Sequence, residues 1–282
     1  MAGFFEQFVA FGTDIVGLER FMRFIQSVLS ILSFYPRLTP LVLLLLLPPT
    51  GPARDAKTSE LAMRELCSHL NLTRRAIRLF WCLGSFQSSW KAYAAPDKSA
   101  EAWLSIMADT LFGLFGMMES VTLPDLLPTA HLSVFGLQEA VRLDGQAQGL
   151  WLAALSCAIL SSSVRIARAY AHRAVPATGG GLVAEVEDEK RQAGEGDGAA
   201  KAAALEKRRE EREAAAQEFG GKIKSLTVKL AAEVLDLVIP ASTTGLAKFD
   251  PGTVSIAMLL STILTGRIVW ERCGRAIDSK PV

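Results

Sequence analysis

Apolar residues recur along this chain at the spacing of one helix face, and nowhere alternate with polar ones between turn residues as in a strand. The clearest stretch runs from Glu19 to Phe34. At about 100° per residue, Glu19, Arg20, Arg23, Gln26, Ser27, Ser30 and Ser33 fall on one side. Phe21, Met22, Phe24, Ile25, Val28, Leu29, Ile31 and Leu32 cover the opposite half. Thr13 or Asp14 can cap the start, and Glu19 with Arg23 makes a favourable i,i+4 pair. The pattern predicts a second helix over 63–90. There Leu66, Leu70, Ile77, Phe80 and Trp81 share a stripe, with Arg74, Arg75 and Arg78 along its flank. A third helix is predicted over 100–119, interrupted by Gly113 and Gly116, with Asp109 and Glu119 on its polar side. The whole reads as all-α.

Three stretches run long without charge. Residues 38–53 contain Pro40, Pro48, Pro49 and Pro52, and their unbroken apolar run is only seven residues, which suits a buried loop or an interfacial dip rather than a crossing. Residues 145–164 and 251–266 are candidate spans, the second reaching Trp270 if Arg267 snorkels. Arg165, Arg168, His172 and Arg173 follow the first; Arg267, Arg272, Arg275 and Lys280 follow the last. Both basic flanks are expected on the cytoplasmic side, which requires an even number of crossings between them. Residues 225–247 and 251–270 then form a hairpin, with turn chemistry at Gly245, Lys248, Asp250, Pro251 and Gly252. On the first of these helices Lys222, Lys229, Glu233 and Asp236 form one narrow polar stripe. Charges so confined need partners: each other, another helix, or water at a membrane surface. An ordinary solvent-facing stripe is the alternative.

Charge is uneven along the 282 residues. Residues 185–213 hold 17 of the 59 charged positions and the first 184 only 28, although the net charge is +1. The segment 176–221 opens on PATGGG, continues as a charged low-complexity run, and ends in a sequence of strong helix propensity with no apolar face. It is a solvated helix or spacer. Outside it the chain is more apolar than ordinary soluble domains. A near-neutral balance without a basic stripe argues against nucleic acid as a partner. Cys67, Cys82, Cys157 and Cys273 form no CxxC pair and read as reduced thiols. The start, MAGFFEQFVAFGTD, has no basic n-region and does not read as a secretory signal.

Catalytic chemistry finds little support. His69, His131 and His172 lie in unrelated contexts, with no metal-ligand spacing. No nucleophile elbow, dinucleotide or phosphate-loop sequence is present. No catalytic, cofactor-binding or metal residue is assigned, and the chain is expected not to be an enzyme.

TDIVGLERFMRFIQSVLSIL (13–32) resembles the N-terminal signature of the peroxin 11 family, where a Gly leads into an acidic-basic pair and then Arg and Gln at helical spacing. LNLTRRAIRLFWCLGSF (70–86) resembles that family's Arg-rich segment, and GLWLAALSCAIL (149–160) a later Trp-containing one. LTVKLAAEVLDLVIPASTTGL (226–246), followed by an apolar helix ending IVWERC (268–273), resembles its membrane-embedded end. Arg20 stands where the family has Lys, Ser27 replaces an aromatic, and the last segment is less Gly-rich, which marks a divergent member.

The resemblance implies a non-enzymatic peroxisomal membrane protein that elongates and remodels the membrane before division and controls organelle number and size. Its implied partners are membrane lipids, copies of itself and peroxisome fission factors, with no nucleic acid. The expected organisation is an N-terminal amphipathic region (1–36), a Pro-rich apolar loop (37–62), a helical membrane-associated region (63–175), a charged linker (176–221) and an anchoring hairpin (222–282). Termini and linker are expected in the cytosol. The apolar residues of 21–32 are assigned to membrane binding, and Arg20, Arg23, Arg74, Arg75 and Arg78 to lipid headgroups or a partner. The physical mechanism is insertion of the amphipathic helix into one leaflet, which favours curvature. Two alternatives stay open: a small-metabolite channel lined by the 222–236 stripe, and a soluble helical scaffold with the apolar faces as its core.

Overall fold

The computed structural model describes residues 3–35, 37, 56–96, 98–127, 132–174 and 198–279. Among them the chain is helical throughout: α1 (Phe4–Thr13), α2 (Ile15–Phe34), α3 (Ala56–Ile77), α4 (Trp81–Ala94), α5 (Ala100–Leu126), α6 (Leu137–Ala174), α7 (Gly198–Thr243) and α8 (Pro251–Asp278). The all-α reading holds.

Local chemistry sets the boundaries. Asp14 breaks α1 from α2 with an extended backbone, and its Oδ1 accepts the Gly17 N–H at 2.9 Å, so Asp14 rather than Thr13 is the cap. The single helix expected over 63–90 starts earlier and is two helices, parted at Arg78, Leu79 and Phe80. The break persists because the Leu79 carbonyl accepts from Ser120 Oγ at 2.6 Å, a bond an unbroken helix would not need. The third helix runs on through Pro124 to Leu126. Asp125 near its end gathers the Ser133 hydroxyl and the N–H groups of Val134, Phe135 and Gly136, which holds the approach to α6.

The Pro-rich run 38–53 lies outside the described residues, and α3 begins at Ala56, inside the expected 37–62 loop. Of the expected linker, 198–221 is helix continuous with 222–243, so no boundary falls at 221. The turn between the last two helices lies where its residues predicted, with Gly245 at φ +74°. The packing there differs from a simple hairpin, however: α8 lies chiefly against α2 and α1.

The chain forms two units, Met1–Ser161 with Ala231–Val282, and Ser162–Leu230. Within the smaller unit, Tyr170 meets Phe219 edge to face with centroids 6.0 Å apart. In the larger unit α4 and α5 run antiparallel. Their close approach depends on Gly113, where a Cβ would sit 2.5 Å from the Phe86 ring. Three helices are long and apolar enough to cross a membrane: Ala100–Leu126, Leu137–Ala171 and Pro251–Asp278. The last two contain the spans expected from sequence. The first was expected only as a helix, because Asp109 and Glu119 interrupt its hydropathy.

Candidate functional site: a charged interior beneath an apolar exterior

The larger unit is built inside out relative to a soluble bundle. On α2, Glu19 is 1% exposed, Arg23 5% and Ser27 0%, whereas Phe21 and Phe24 are 46% and 41% exposed. Met22, Ile25, Val28, Leu29 and Ile31 are half-exposed, and of the expected apolar face only Leu32 is buried. The periodicity was right about the two faces; the inward one is the polar one. The same inversion recurs on α8, where Ser255, Ser261 and Thr262 are buried while Ile256, Leu260 and Ile263 are exposed; on α3 Arg74 and Arg75 are buried, but the exposed face is mixed, with Leu66 beside Arg64, Glu65 and His69. The buried apolar positions of α6 are mainly Ala140, Ala147 and Ala154, small residues that let helices approach closely. In water such an exterior would be an extended sticky surface; in hydrocarbon it is the favoured arrangement.

Glu19 is the centre of the buried network. Its Oε1 accepts from Arg74 Nε at 2.9 Å and Nη2 at 2.5 Å, Arg78 Nη1 stands 3.9 Å away, and Arg20 Nε lies 3.5 Å from Oε2. Arg74 Nη1 also donates to Gln26 Oε1 at 2.5 Å. Arg78 Nη2 donates to Glu119 Oε1 at 2.8 Å, and Arg75 holds Asp144 with both terminal nitrogens at 2.8 and 3.1 Å. Arg23 donates to Asp236 on α7 and, at 3.4 Å, to Ser261 Oγ on α8. Burial pulls the Arg74 pKa down to about 10 against the raising field of Glu19, so its guanidinium stays charged at neutral pH.

The local Glu19–Arg23 pair expected on α2 is therefore replaced by pairs between helices. Arg23, Arg74 and Arg75 turn onto carboxylates of neighbouring helices rather than out toward headgroups, because an unpaired guanidinium on the apolar exterior would be far more costly. Arg20 and Arg78 are half-buried in the same network. Of the C-terminal stripe, Lys222 and Lys229 are exposed, Glu233 is half-buried, and Asp236 is mostly enclosed against Arg23. Glu233 and Asp236 line a cavity of about 250 Å³ with Glu19, Arg20, Arg78 and Glu119, opposite an aromatic wall that includes Trp81, Phe112 and Trp151.

Two surface features were not singled out in the sequence. α1 has no buried residue: Phe4 is 78% and Phe5 75% exposed. It rests on the end of α8, with the Phe4 and Phe11 rings 5.6 and 5.7 Å from Trp270 and Gln7 Nε2 donating to the Trp270 carbonyl at 2.8 Å. Phe4, Phe8 and Phe11 at helical spacing are the signal that could have found it. At the α4–α5 turn, exposed Trp90, Tyr93 and Trp103 cluster, with Lys98 Nζ 4.8 Å from the Tyr93 ring. Trp, Tyr and Lys together are the residues favoured where a membrane meets water.

The four cysteines are free, and burial pushes the Cys67 thiol up. Among the described residues no group of three His, Cys, Asp or Glu is placed to hold a metal ion.

A family model described as Peroxisomal biogenesis factor 11 (PEX11) matches residues 52–270, from just before α3 into α8. No curated protein and no solved structure matches the chain. The matched span includes the resembling segments at 70–86 and 149–160 and all but the last three residues of 226–273, and leaves 13–32 outside it. Covering most of the length together with three helices fit to cross a bilayer, the match shows that this chain belongs to the Peroxisomal biogenesis factor 11 family, whose members act in biogenesis of the peroxisomal membrane.

Proposed function

We propose that this protein elongates and remodels the peroxisomal membrane ahead of division, as a non-catalytic, self-associating component that also engages fission factors. The observation that carries the reading is the apolar exterior of the N-terminal helices. α1 presents Phe4, Phe5 and Phe8 outward at one end of α8, where Arg267, Arg272 and Arg275 are exposed. A short aromatic helix beside basic side chains suits the boundary between acyl chains and anionic headgroups. Apolar volume added there enters one leaflet only, expands it relative to the other and favours curvature. The basic flanks of α6 and α8 support a cytosolic position for this end, for the C-terminus and for the 176–221 segment.

Full-length protein reconstituted into anionic liposomes tests the reading. The wild type is expected to draw tubules from the vesicles. The triple change Phe4→Ser, Phe5→Ser, Phe8→Ser is expected to insert normally and leave the vesicles round. Equal tubulation by both would remove α1 as the wedge, and no tubulation by the wild type would remove the remodelling reading. Crosslinking within the same membranes reads the self-association.

A further inference from the structure

The arginines of the larger unit outnumber the carboxylates that answer them. Arg20, Arg74 and Arg78 stand around Glu19; Arg75 and Arg78 share Glu119; Arg75 also holds Asp144, and Arg23 holds Asp236. Glu233 also lines the cavity among them, and its own interactions are made elsewhere. The cluster therefore carries one positive charge more than its carboxylates neutralise. The excess falls on Arg20. Among the described residues its guanidinium makes no hydrogen bond, and it faces Glu19 Oε2 only at 3.5 Å.

Arg20, Arg23 and Arg78 all line the cavity of about 250 Å³, and the Nε–H of each is buried without an acceptor. Arg23 is only 5% exposed and is fixed by Asp236, so it cannot swing out to find one. Buried donors left without acceptors are rare in folded proteins. Three on one cavity, beside a guanidinium with no hydrogen bond, call for an acceptor from outside the chain. The rest of the lining is of another kind. Phe115 and Trp151 stack with centroids 5.3 Å apart and planes 16° from parallel, and Trp81, Phe112 and Leu155 extend the apolar wall.

Together the two linings define a ligand. A bare inorganic anion leaves the aromatic wall against water, and a dianion more than cancels the spare charge and leaves a negative one buried. A singly charged oxyanion on an apolar body suits both, because a planar guanidinium donates to two of its oxygens at once. We infer that this cavity binds the singly charged oxyanion of a lipid, the phosphodiester of a phospholipid or the carboxylate of a free acyl chain. Arg20 is its main donor, and the adjoining carbons lie against Trp81 and Trp151. The inference does not rest on remodelling: binding and tubulation are read separately, and either can fail alone.

Native mass spectrometry of the full-length protein, released from a neutral maltoside detergent, tests it with four probes: dihexanoyl phosphatidylglycerol, dodecanoate, inorganic phosphate and the uncharged dihexanoyl glycerol. The protein is expected to retain a single molecule of phosphatidylglycerol or of dodecanoate, and the tighter of the two identifies the source of the oxyanion. Arg20→Gln should weaken that binding about tenfold or more. Its unfolding midpoint should stay unchanged, because Arg20 makes no hydrogen bond in the free protein. Ser85→Leu, which fills the cavity and leaves every arginine in place, should abolish binding and supplies the reading if Arg20→Gln fails to fold. Retention of the uncharged lipid as tightly as the anionic ones, or undiminished binding by both variants, would overturn the inference. Binding of inorganic phosphate as tight as that of either lipid would remove the apolar wall from the site. No retention of any probe would leave the cavity to water alone and overturn the inference as well.

Discussion

Arg23 on α2 donates to Asp236 on α7, 213 positions later in the chain, with 6% and 15% of the two side chains exposed. Neither residue has a comparable partner on its own helix, so this pair joins the N-terminal helix to the C-terminal part of the chain. It also explains how charges can stand on helices whose outer faces are apolar. On α2, Glu19 and Arg23 are turned inward onto opposite charges contributed by other helices.

Removing one partner strands the other. Arg23→Gln is expected to destabilise the protein by about 3–5 kcal/mol, because it leaves the Asp236 carboxylate buried and unpaired. The double change Arg23→Gln with Asp236→Asn should restore much of that loss. Thermal unfolding of the two variants in mild detergent measures the difference; equal loss in the double variant would show that the pair is not coupled.

Glu19 faces three guanidiniums, Arg20, Arg74 and Arg78, so Glu19→Gln should be more damaging than any single surface charge change. The exposed Arg142–Glu139 pair supplies the control: Glu139→Gln is expected to cost under about 1 kcal/mol. Steady-state abundance in cells and unfolding midpoints in detergent should rank the two variants in the same order.

Gly113 faces the Phe86 ring at a distance no side chain can occupy. Gly113→Ala is expected to push α4 from α5 and cost about 1–3 kcal/mol. Phe86→Leu in the same chain should recover part of it. Absence of any recovery would mean that the helices already part elsewhere.

Truncation after Gly221 removes Asp236, Ser255, Ser261 and Arg272, and with them the contacts that α2 makes to α7 and α8. α5 and α6 remain, both long and apolar enough to cross. The fragment is therefore expected to resist alkaline carbonate extraction while α2 becomes sensitive to protease. Complete release by carbonate would assign the anchoring to the removed segment 222–282.

Protease added to intact peroxisomes is expected to cut within 185–213, the most highly charged run of the chain. Protection of that run while cytosolic markers are digested would reverse the orientation drawn from the basic flanks.

Much of this protein is legible in its sequence, for a local reason. Helix periodicity, the Asp14 cap and the Gly245 turn depend on residues within a few positions of one another, and all three appear in the structure. The two faces of α2 are also correctly divided by the sequence. Which face points inward is another matter, since amphipathicity is symmetric: a stripe of Phe and Ile looks the same against a soluble core or against lipid. Buried partners such as Arg74 for Glu19, and Asp236 for Arg23, lie tens to hundreds of residues away and leave no local trace. The helix break at Arg78 to Phe80 likewise follows from Ser120 on another helix. Local pattern was enough to show that the chain is helical, that helices start after Asp14, near Ala100 and at Pro251, and which side chains share a face. That the charged faces converge while the Phe21–Phe24 face turns outward depends on contacts between helices, where a charge left without its counterion is costly.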